Sequence, residues 1–126
     1  MDSLSQQLEA IAGSIREHWQ QKYAARERAL ANGREAIRNC ANGIRAVHRN
    51  DLDTAEQLLG RARALLDETA AALRDHADLF HAGYVEDAQK EYAEGSITLA
   101  LVAGAVAAAL KLPVGTLAKL VYRYTL

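Results

Sequence analysis

Apolar or small side chains recur at steps of three and four residues along the first 47 residues. The positions are Leu4, Leu8, Ile11, Ile15, Arg26, Leu30, Gly33, Ile37, Cys40, Ile44 and Val47. Such steps are typical of one face of an α-helix, and the gap of 11 between the two runs keeps the phase of a straight helix. The pattern therefore predicts one helix over about residues 3–49. Only the stem of Arg26 would pack, and Gly33 would let a neighbouring helix approach closely.

A second run of apolar residues at helical spacing follows Asn50 and Asp51, and Asp51 is a favourable N-cap. This run predicts a helix over 52–76. Because the connection is so short, the second helix should turn back antiparallel to the first.

Two further helices are predicted, one over 79–110 with Asp78 as its N-cap and a short one over 114–124 after Pro113. The sequence thus predicts an all-α fold, a single helical domain over residues 1–126. Three long helices form its bundle, and a short C-terminal helix completes it.

Composition supports this fold class. Half of the 126 residues are hydrophobic, only 6% are aromatic and there is 1 Pro, which argues against both a β-sandwich and a disordered chain. The single Cys40 excludes an internal disulfide framework and a cysteine-based zinc site. A lone cysteine and the lack of a visible secretory signal favour a cytoplasmic protein.

Residues 95–110 carry no charge. The segment is shorter than the roughly 20 residues that a membrane span needs. We expect it to be buried on all sides in a bundle or a subunit interface. Association with a membrane is the weaker alternative.

Charge is unevenly distributed, although the net charge is only −1. Residues 16–49 hold eight Arg or Lys against three acids, whereas residues 51–94 hold eleven acids against four basic residues. Within the basic part, four arginines fall in an arc of about 60° on the first helix. They are Arg34, Arg38, Arg45 and Arg49. Guanidinium groups in a row suit phosphates.

Ion pairing with the second helix is the competing interpretation of these arginines. Its acids Asp53, Glu56, Asp67 and Glu68 are the candidate partners. His48 lies between the arginines and the apolar face. A half-buried structural role is its default, and ligand or acid–base chemistry is the alternative.

Asp87, Glu91 and Glu94 fall within about 60° of one another on the predicted third helix. Phe80, Tyr84, Thr98 and Val102 share their face, so the three acids are expected inside an apolar stripe. Buried carboxylates that repel one another attract a divalent cation, here Mg²⁺ or Mn²⁺. The alternative is that arginine or lysine from neighbouring helices neutralises them.

Two stretches of the chain resemble the translin family, particularly its archaeal and bacterial translin-like members. The first comprises AIR at 36–38, IRAVHRND at 44–51 and AEQLL at 55–59, which is similar to the family's I-R-x-(I/V)-H-R turn into a helix with A-x-x-L-L. The second is AGYVEDAQKEYAEG at 82–95, which resembles A-G-Y-x-x-D-A-x-Q-E-Y-x-E-A. The resemblance covers about residues 20–102.

The resemblance implies an all-helical protein that assembles into hollow octamers and binds single-stranded RNA or DNA. TRAX-like relatives cleave RNA with a divalent cation. By this likeness Glu91 and Glu94 would be catalytic and would hold the metal, and the basic first helix would face nucleic acid. The motif's last Ala is Gly95 here, and no acid follows Glu94, so Asp87 or another chain would supply a further ligand. We therefore expect a C-terminally truncated or engineered member.

From these observations we expect a homo-oligomer, an octamer or another closed assembly. A 47-residue helix would extend about 70 Å, too far for so small a chain to cover. The expected function is binding of single-stranded RNA or DNA, with residual or no Mg²⁺-dependent endoribonuclease activity. The alternative is a structural or engineered self-assembling helical protein without catalytic activity.

Overall fold

The computed structural model describes residues 3–109, and every regular element in this range is an α-helix. The helices are α1 (Ser3–His48), α2 (Leu52–Ala72), α3 (Ala77–Phe80) and α4 (Gly83–Ala109). The all-α class is thereby confirmed. The predicted helix over 114–124 lies outside the described residues.

The turn between α1 and α2 is built as the sequence predicts. Asp51 is the N-cap of α2, and its Oδ1 accepts a hydrogen bond from the backbone N–H of Thr54 at 3.3 Å. The hydrogen bonds from Thr54 also lower the pKa of the Asp51 carboxyl. Asn50 has φ 59°, a left-handed conformation that asparagine tolerates better than most residues.

The third predicted helix is interrupted, and its predicted start is wrong. α2 ends at Ala72, four residues before the predicted end, and the one-turn helix α3 stands between α2 and α4. Asp78 lies inside α3 instead of capping a long helix. Its carboxylate contacts Lys22 Nζ at 2.5 Å, and this partner lowers the pKa of Asp78. The turn between α2 and α4 is thus tied to α1.

The second half of α1, α2 and α4 form a three-helix bundle. α2 runs antiparallel to α1, and α4 runs parallel to α1. A Cβ added at Gly33 would lie 3.8 Å from the Tyr84 carbonyl oxygen, and one added at Gly95 would lie 3.9 Å from the Cys40 carbonyl oxygen. The predicted close approach of a helix at Gly33 is therefore confirmed, and the neighbour is α4.

Small side chains dominate the core, which explains how closely the three helices pack. The main cluster contains Ala36, Cys40, Ala46, Val47, Ala55, Leu59, Ala62, Ala88 and Leu99. A second cluster beside α3 contains Ala29, Leu73 and Val85.

The buried face of α1 is rotated slightly from the predicted one. Ala29, Ala36 and Gly43 are buried, whereas the larger Leu30, Ile37 and Ile44 lie half-buried at the edge. Arg26 is exposed, and Gly33, Cys40 and Val47 are buried as predicted. Small residues at the centre of the contact let α2 and α4 approach, so the bulky residues flank it.

Apolar side chains are exposed at both ends of the bundle. Leu4, Leu8, Ile11 and Ile15 of α1 are exposed, and so are Ile97 and Leu101 of α4. Over residues 95–105, α4 buries one side within the single chain, through Ser96, Leu99, Ala100 and Ala103. The expected burial of residues 95–110 on all sides would therefore require a subunit interface, which stays a prediction.

Candidate nucleic-acid interface

The four arginines lie on one exposed face of the bundle. Arg34, Arg38 and Arg45 are exposed on α1, and Arg49 follows one residue after its end. At 1.5 Å per residue this row extends about 22 Å. It points away from the small residues that pack against α2 and α4, because it lies on the opposite side of the helix. We call this row the basic surface.

The basic surface has few carboxylate partners within the described residues. Arg38 Nη1 contacts Glu35 Oε2 at 2.8 Å on its own helix, and Arg45 Nη1 donates to Asn42 Oδ1 at 2.8 Å. Within residues 3–109, no ion pair joins Arg34, Arg45 or Arg49 to a carboxylate. The charge of Arg49 acts on the Asp51 carboxylate, which adds to the hydrogen bonds from Thr54 in lowering its pKa. Within the described residues, Arg34 and Arg45 are therefore the two guanidinium groups of the row without a carboxylate neighbour.

The acids of α2 have other basic neighbours. Asp67 Oδ1 contacts Arg63 Nε at 3.2 Å, and Glu68 pairs with Arg28. Two of the four candidate acids, Asp67 and Glu68, thus pair with arginines outside the basic surface. Arg28 lies about 100° around α1 from the centre of the basic surface, on the side that meets α2.

His48 is exposed in the last turn of α1. The default expectation of a half-buried structural histidine is therefore wrong. The imidazole lies beside Arg45 and Arg49, so an anion bound there would meet it as well. It adds a hydrogen-bonding group to one end of the basic surface.

The three acids of α4 lie at the margin of the bundle, not within an apolar stripe. Asp87 and Glu94 are exposed, and only Glu91 is half-buried. Within the described residues, no group of three or more His, Cys, Asp or Glu side chains is placed to hold a metal ion. Water solvates two of the three carboxylates. Burial, on which the prediction of Mg²⁺ or Mn²⁺ rests, therefore does not apply to these two acids.

Glu91 faces the buried thiol of Cys40. Burial raises the pKa of that thiol from 9.0 to about 11, and the negative charge of Glu91 contributes to the rise. Cys40 is fully buried in the main cluster. It is therefore a small core residue, as its place in the apolar pattern of α1 predicts, and an unreactive one.

A shallow groove joins the basic surface to the acidic end of α4. Its volume is about 140 Å³, and Arg34 and Asp87 stand at its rim. Leu30, Gly33, Ile37 and Tyr84 form the rest of its lining. The Tyr84 hydroxyl is buried and has no hydrogen-bond partner within residues 3–109. The sequence did not reveal this groove, since it exists only where α4 crosses α1 at Gly33.

A second groove lies between α2 and α4, with a volume of about 260 Å³. Arg63 lies 5.9 Å from the centre of the Tyr92 ring, and hydrogen bonding with Tyr92 and Asp67 raises the pKa of Arg63. Neither Arg63 nor Gln89, which also lines the groove, stood out in the sequence. The only available signal was an arginine and a tyrosine on two helices predicted to pack together.

Comparison with protein-family models, with curated proteins and with solved structures gives no match to this chain. Over the described residues, no helix combines the length and the apolar character needed to cross a membrane.

Proposed function

We propose that the protein binds single-stranded RNA or DNA along the basic surface of α1. The observation that carries the proposal is the exposure of Arg34, Arg38, Arg45 and Arg49 in one row. Arg34 and Arg45 have no carboxylate partner in the described range, whereas Arg38 pairs with Glu35 and Arg49 acts on the Asp51 carboxylate. A planar guanidinium donates two parallel hydrogen bonds to a phosphate, so such a row suits a phosphate backbone.

The resemblance to translin-like proteins supports the same function, since those proteins bind single-stranded nucleic acid. The likeness includes Arg38, Arg45 and Arg49 in its first motif. Gly95 departs from the second motif, and this position is where α4 packs most tightly against Leu59. A chain with alanine at this position would therefore have to pack α4 differently against Leu59.

Contacts through phosphates predict affinity with little sequence preference. Aromatic platforms for stacking bases are sparse within the row itself, since Tyr84 is half-buried and Tyr92 lies beside Arg63 on another side. The exposed Trp19 and Tyr23 of α1 lie more than ten residues before Arg34. Binding should depend steeply on salt. The Arg38–Glu35 pair reduces the contribution of Arg38, because the carboxylate competes with a phosphate.

The test compares an arginine-poor basic surface with a matched change elsewhere. Arg34→Gln, Arg38→Gln and Arg45→Gln are combined in one variant, and Arg61→Gln with Arg74→Gln, exposed on α2 and just after it, form the control. Fluorescence anisotropy with a labelled 10-nucleotide RNA, and with the matching DNA, measures affinity. The triple variant should lose at least tenfold, and the control should lose little. Equal losses, or no binding by the unaltered protein, would disprove the proposal.

Metal-dependent RNA cleavage is not part of the proposal, because Asp87 and Glu94 are solvated. The sequence prediction still has a direct test. If Glu91 and Glu94 hold Mg²⁺, Glu91→Gln abolishes cleavage and leaves RNA binding intact, whereas the exposed Glu86→Gln on the same helix changes neither. Cleavage that persists in Glu91→Gln would remove these residues from any catalytic role.

A structural, self-assembling protein is the second candidate. The uncovered apolar residues at the start of α1 favour it. This candidate predicts no RNA affinity and a defined oligomer that persists in high salt. Light scattering at low and high salt gives the mass, and eight times 13.7 kDa would indicate the octamer expected from the family resemblance.

A further inference from the structure

The first fifteen described residues of α1 form an arm with an uncovered apolar face. Leu4, Leu8, Ile11 and Ile15 are 67%, 57%, 56% and 44% exposed. Their steps of four, three and four are those of a coiled-coil seam. We call residues 3–17 the arm and these four side chains the arm seam.

The arm seam continues the face that α1 buries inside the bundle. Residues seven apart lie on nearly the same face of a helix. From Leu8 this spacing gives Ile15, Lys22, Ala29, Ala36 and Gly43, and the last three are buried. The same helical face is therefore covered by α2 and α4 in the second half of α1 and, along the arm, by nothing within residues 3–109. The arm thus presents the apolar face of a packed helix without a covering element among the described residues.

We propose that a second copy of this chain covers the arm seam, with the two arms antiparallel. In this register Leu4 packs against the partner's Ile15, and Leu8 packs against the partner's Ile11. The two-fold axis repeats both contacts, which gives four apolar layers. No residue of the seam is left without an apolar partner.

The flanks of the arm seam favour self-association over a charged partner. The flanking positions Ser5, Gln7, Ala12 and Ser14 are uncharged. Two identical arms therefore meet without like-charge repulsion. Coiled coils that choose a different partner usually do so through charges at these positions, and the arm has none there.

The rest of the chain determines the orientation. The His18 ring lies 5.9 Å from the His76 ring, and Lys22 pairs with Asp78. From His18 onward the connection between α2 and α4 thus occupies the side that the seam faces. Parallel arms would drive two bundles into the same space. Antiparallel arms place the bundles at opposite ends.

The antiparallel assembly has a distinctive length. With residues 4–15 overlapping, the two α1 helices together extend about 115 Å, whereas parallel helices in register extend about 70 Å. Small-angle X-ray scattering separates these lengths. Mass and length together therefore test both the partner and its orientation.

The decisive variant is Ile11→Asp, and the matched control is Ala10→Asp. Both positions are exposed on the arm, but Ala10 lies off the arm seam. The unaltered protein and Ala10→Asp should be dimers, twice 13.7 kDa, with the longer dimension. Ile11→Asp should halve the mass and keep the same helix content by circular dichroism.

Several outcomes would overturn the inference. They are a monomeric unaltered protein at about 100 μM or above, an Ile11→Asp variant with unchanged mass, and a dimer of about 70 Å. A larger oligomer supports the inference only if Ile11→Asp halves its mass. RNA affinity is measured on the same samples. Failure of RNA binding with an intact dimer disproves only the proposed function, since this inference does not depend on it.

Discussion

Leu59 shows how single residues determine the packing of this bundle. It is 4% exposed and lies between two glycines, Gly43 on α1 and Gly95 on α4. A Cβ added at Gly43 would lie 3.3 Å from Leu59 Cγ, and one added at Gly95 would lie 2.7 Å from Leu59 Cδ2. Leu59 therefore has no room to move away from either helix.

Gly95→Ala should destabilise the fold by about 1–3 kcal/mol, because the new methyl group overpacks the contact with Leu59. The control is Gly60→Ala, which meets no atom within 4 Å and should raise stability by up to about 1 kcal/mol through helix propensity. Urea unfolding followed by circular dichroism measures both. Combining Gly95→Ala with Leu59→Ala should cost less than the sum of the two changes. Additive costs would show that the contact is not the cause.

Cys40 provides a prediction for alkaline pH. In the folded protein burial holds the pKa of its thiol at about 11, whereas the unfolded chain has the ordinary value of 9.0. Between these values the unfolded state binds fewer protons, so the free energy of unfolding falls as pH rises from 9 to 11. The loss should be roughly 2–3 kcal/mol.

The measurement is urea unfolding of the unaltered protein and of Cys40→Ala at about pH 8 and about pH 10.5, on either side of the ordinary thiol pKa. Tyrosine and lysine titrate in both proteins, so the difference between the two pH profiles isolates Cys40. The unaltered protein should lose more stability than Cys40→Ala does. Identical profiles would mean that the folded thiol ionises as readily as the unfolded one.

At the level of helices, the periodicity of apolar residues predicts that a helix forms and which way it runs better than it predicts where the helix begins and ends. The limits of α1 and the start of α2 follow from the apolar steps and from Asp51, which are local signals. The local pattern also predicts a break between the second and third helices, at residues 77 and 78, but not its observed limits or the one-turn helix α3. Asp78 lies within α3 and pairs with Lys22, a residue of another helix that is distant along the chain. Local pattern carries no information about such a contact.

The candidate site is predictable only in part, because some of its features depend on contacts between helices. The arc of the arginines follows from helical geometry alone, and the structure leaves all four exposed. Whether the acids of α4 are buried depends instead on the rotation of α4 against its neighbours. Asp87 and Glu94 face outward because Ala88 and Gly95, each one position further along, face inward.

The basic surface predicts the salt dependence of RNA binding. Four phosphate contacts on a single strand give a slope of about −2.8 for the logarithm of the binding constant against that of the salt concentration. Arg45→Gln should reduce the slope by about 0.7, whereas Arg61→Gln on α2 should leave it unchanged. Anisotropy titrations from about 50 to about 300 mM KCl give both slopes. An unchanged slope in Arg45→Gln would place the phosphates elsewhere.

At the scale of the whole molecule, the length of α1 requires that part of it extends beyond α2 and α4. A helix of 46 residues is longer than α2 or α4, so it must extend beyond them. The sequence predicts which part extends, because a short turn after α1 and an antiparallel α2 of about half its length cover the second half of α1. The limit of the covered part is not predicted. The contacts of His18 and Lys22 show it and leave residues 3–17 as the arm.

Self-association through the arm predicts a concentration-dependent melting temperature. A partner that binds only the folded state stabilises it by mass action, so the melting temperature of the unaltered protein should rise as concentration increases from about 1 to about 200 μM. The melting temperature of Ile11→Asp should not change. In the most dilute samples the two proteins should melt within a few degrees of each other, because Ile11 is 56% exposed and lies outside the core of its own chain. Scanning calorimetry and circular dichroism give the melting temperatures. A much lower value for Ile11→Asp in dilute solution would mean that the arm packs against its own bundle, and the second copy would no longer be needed to cover it.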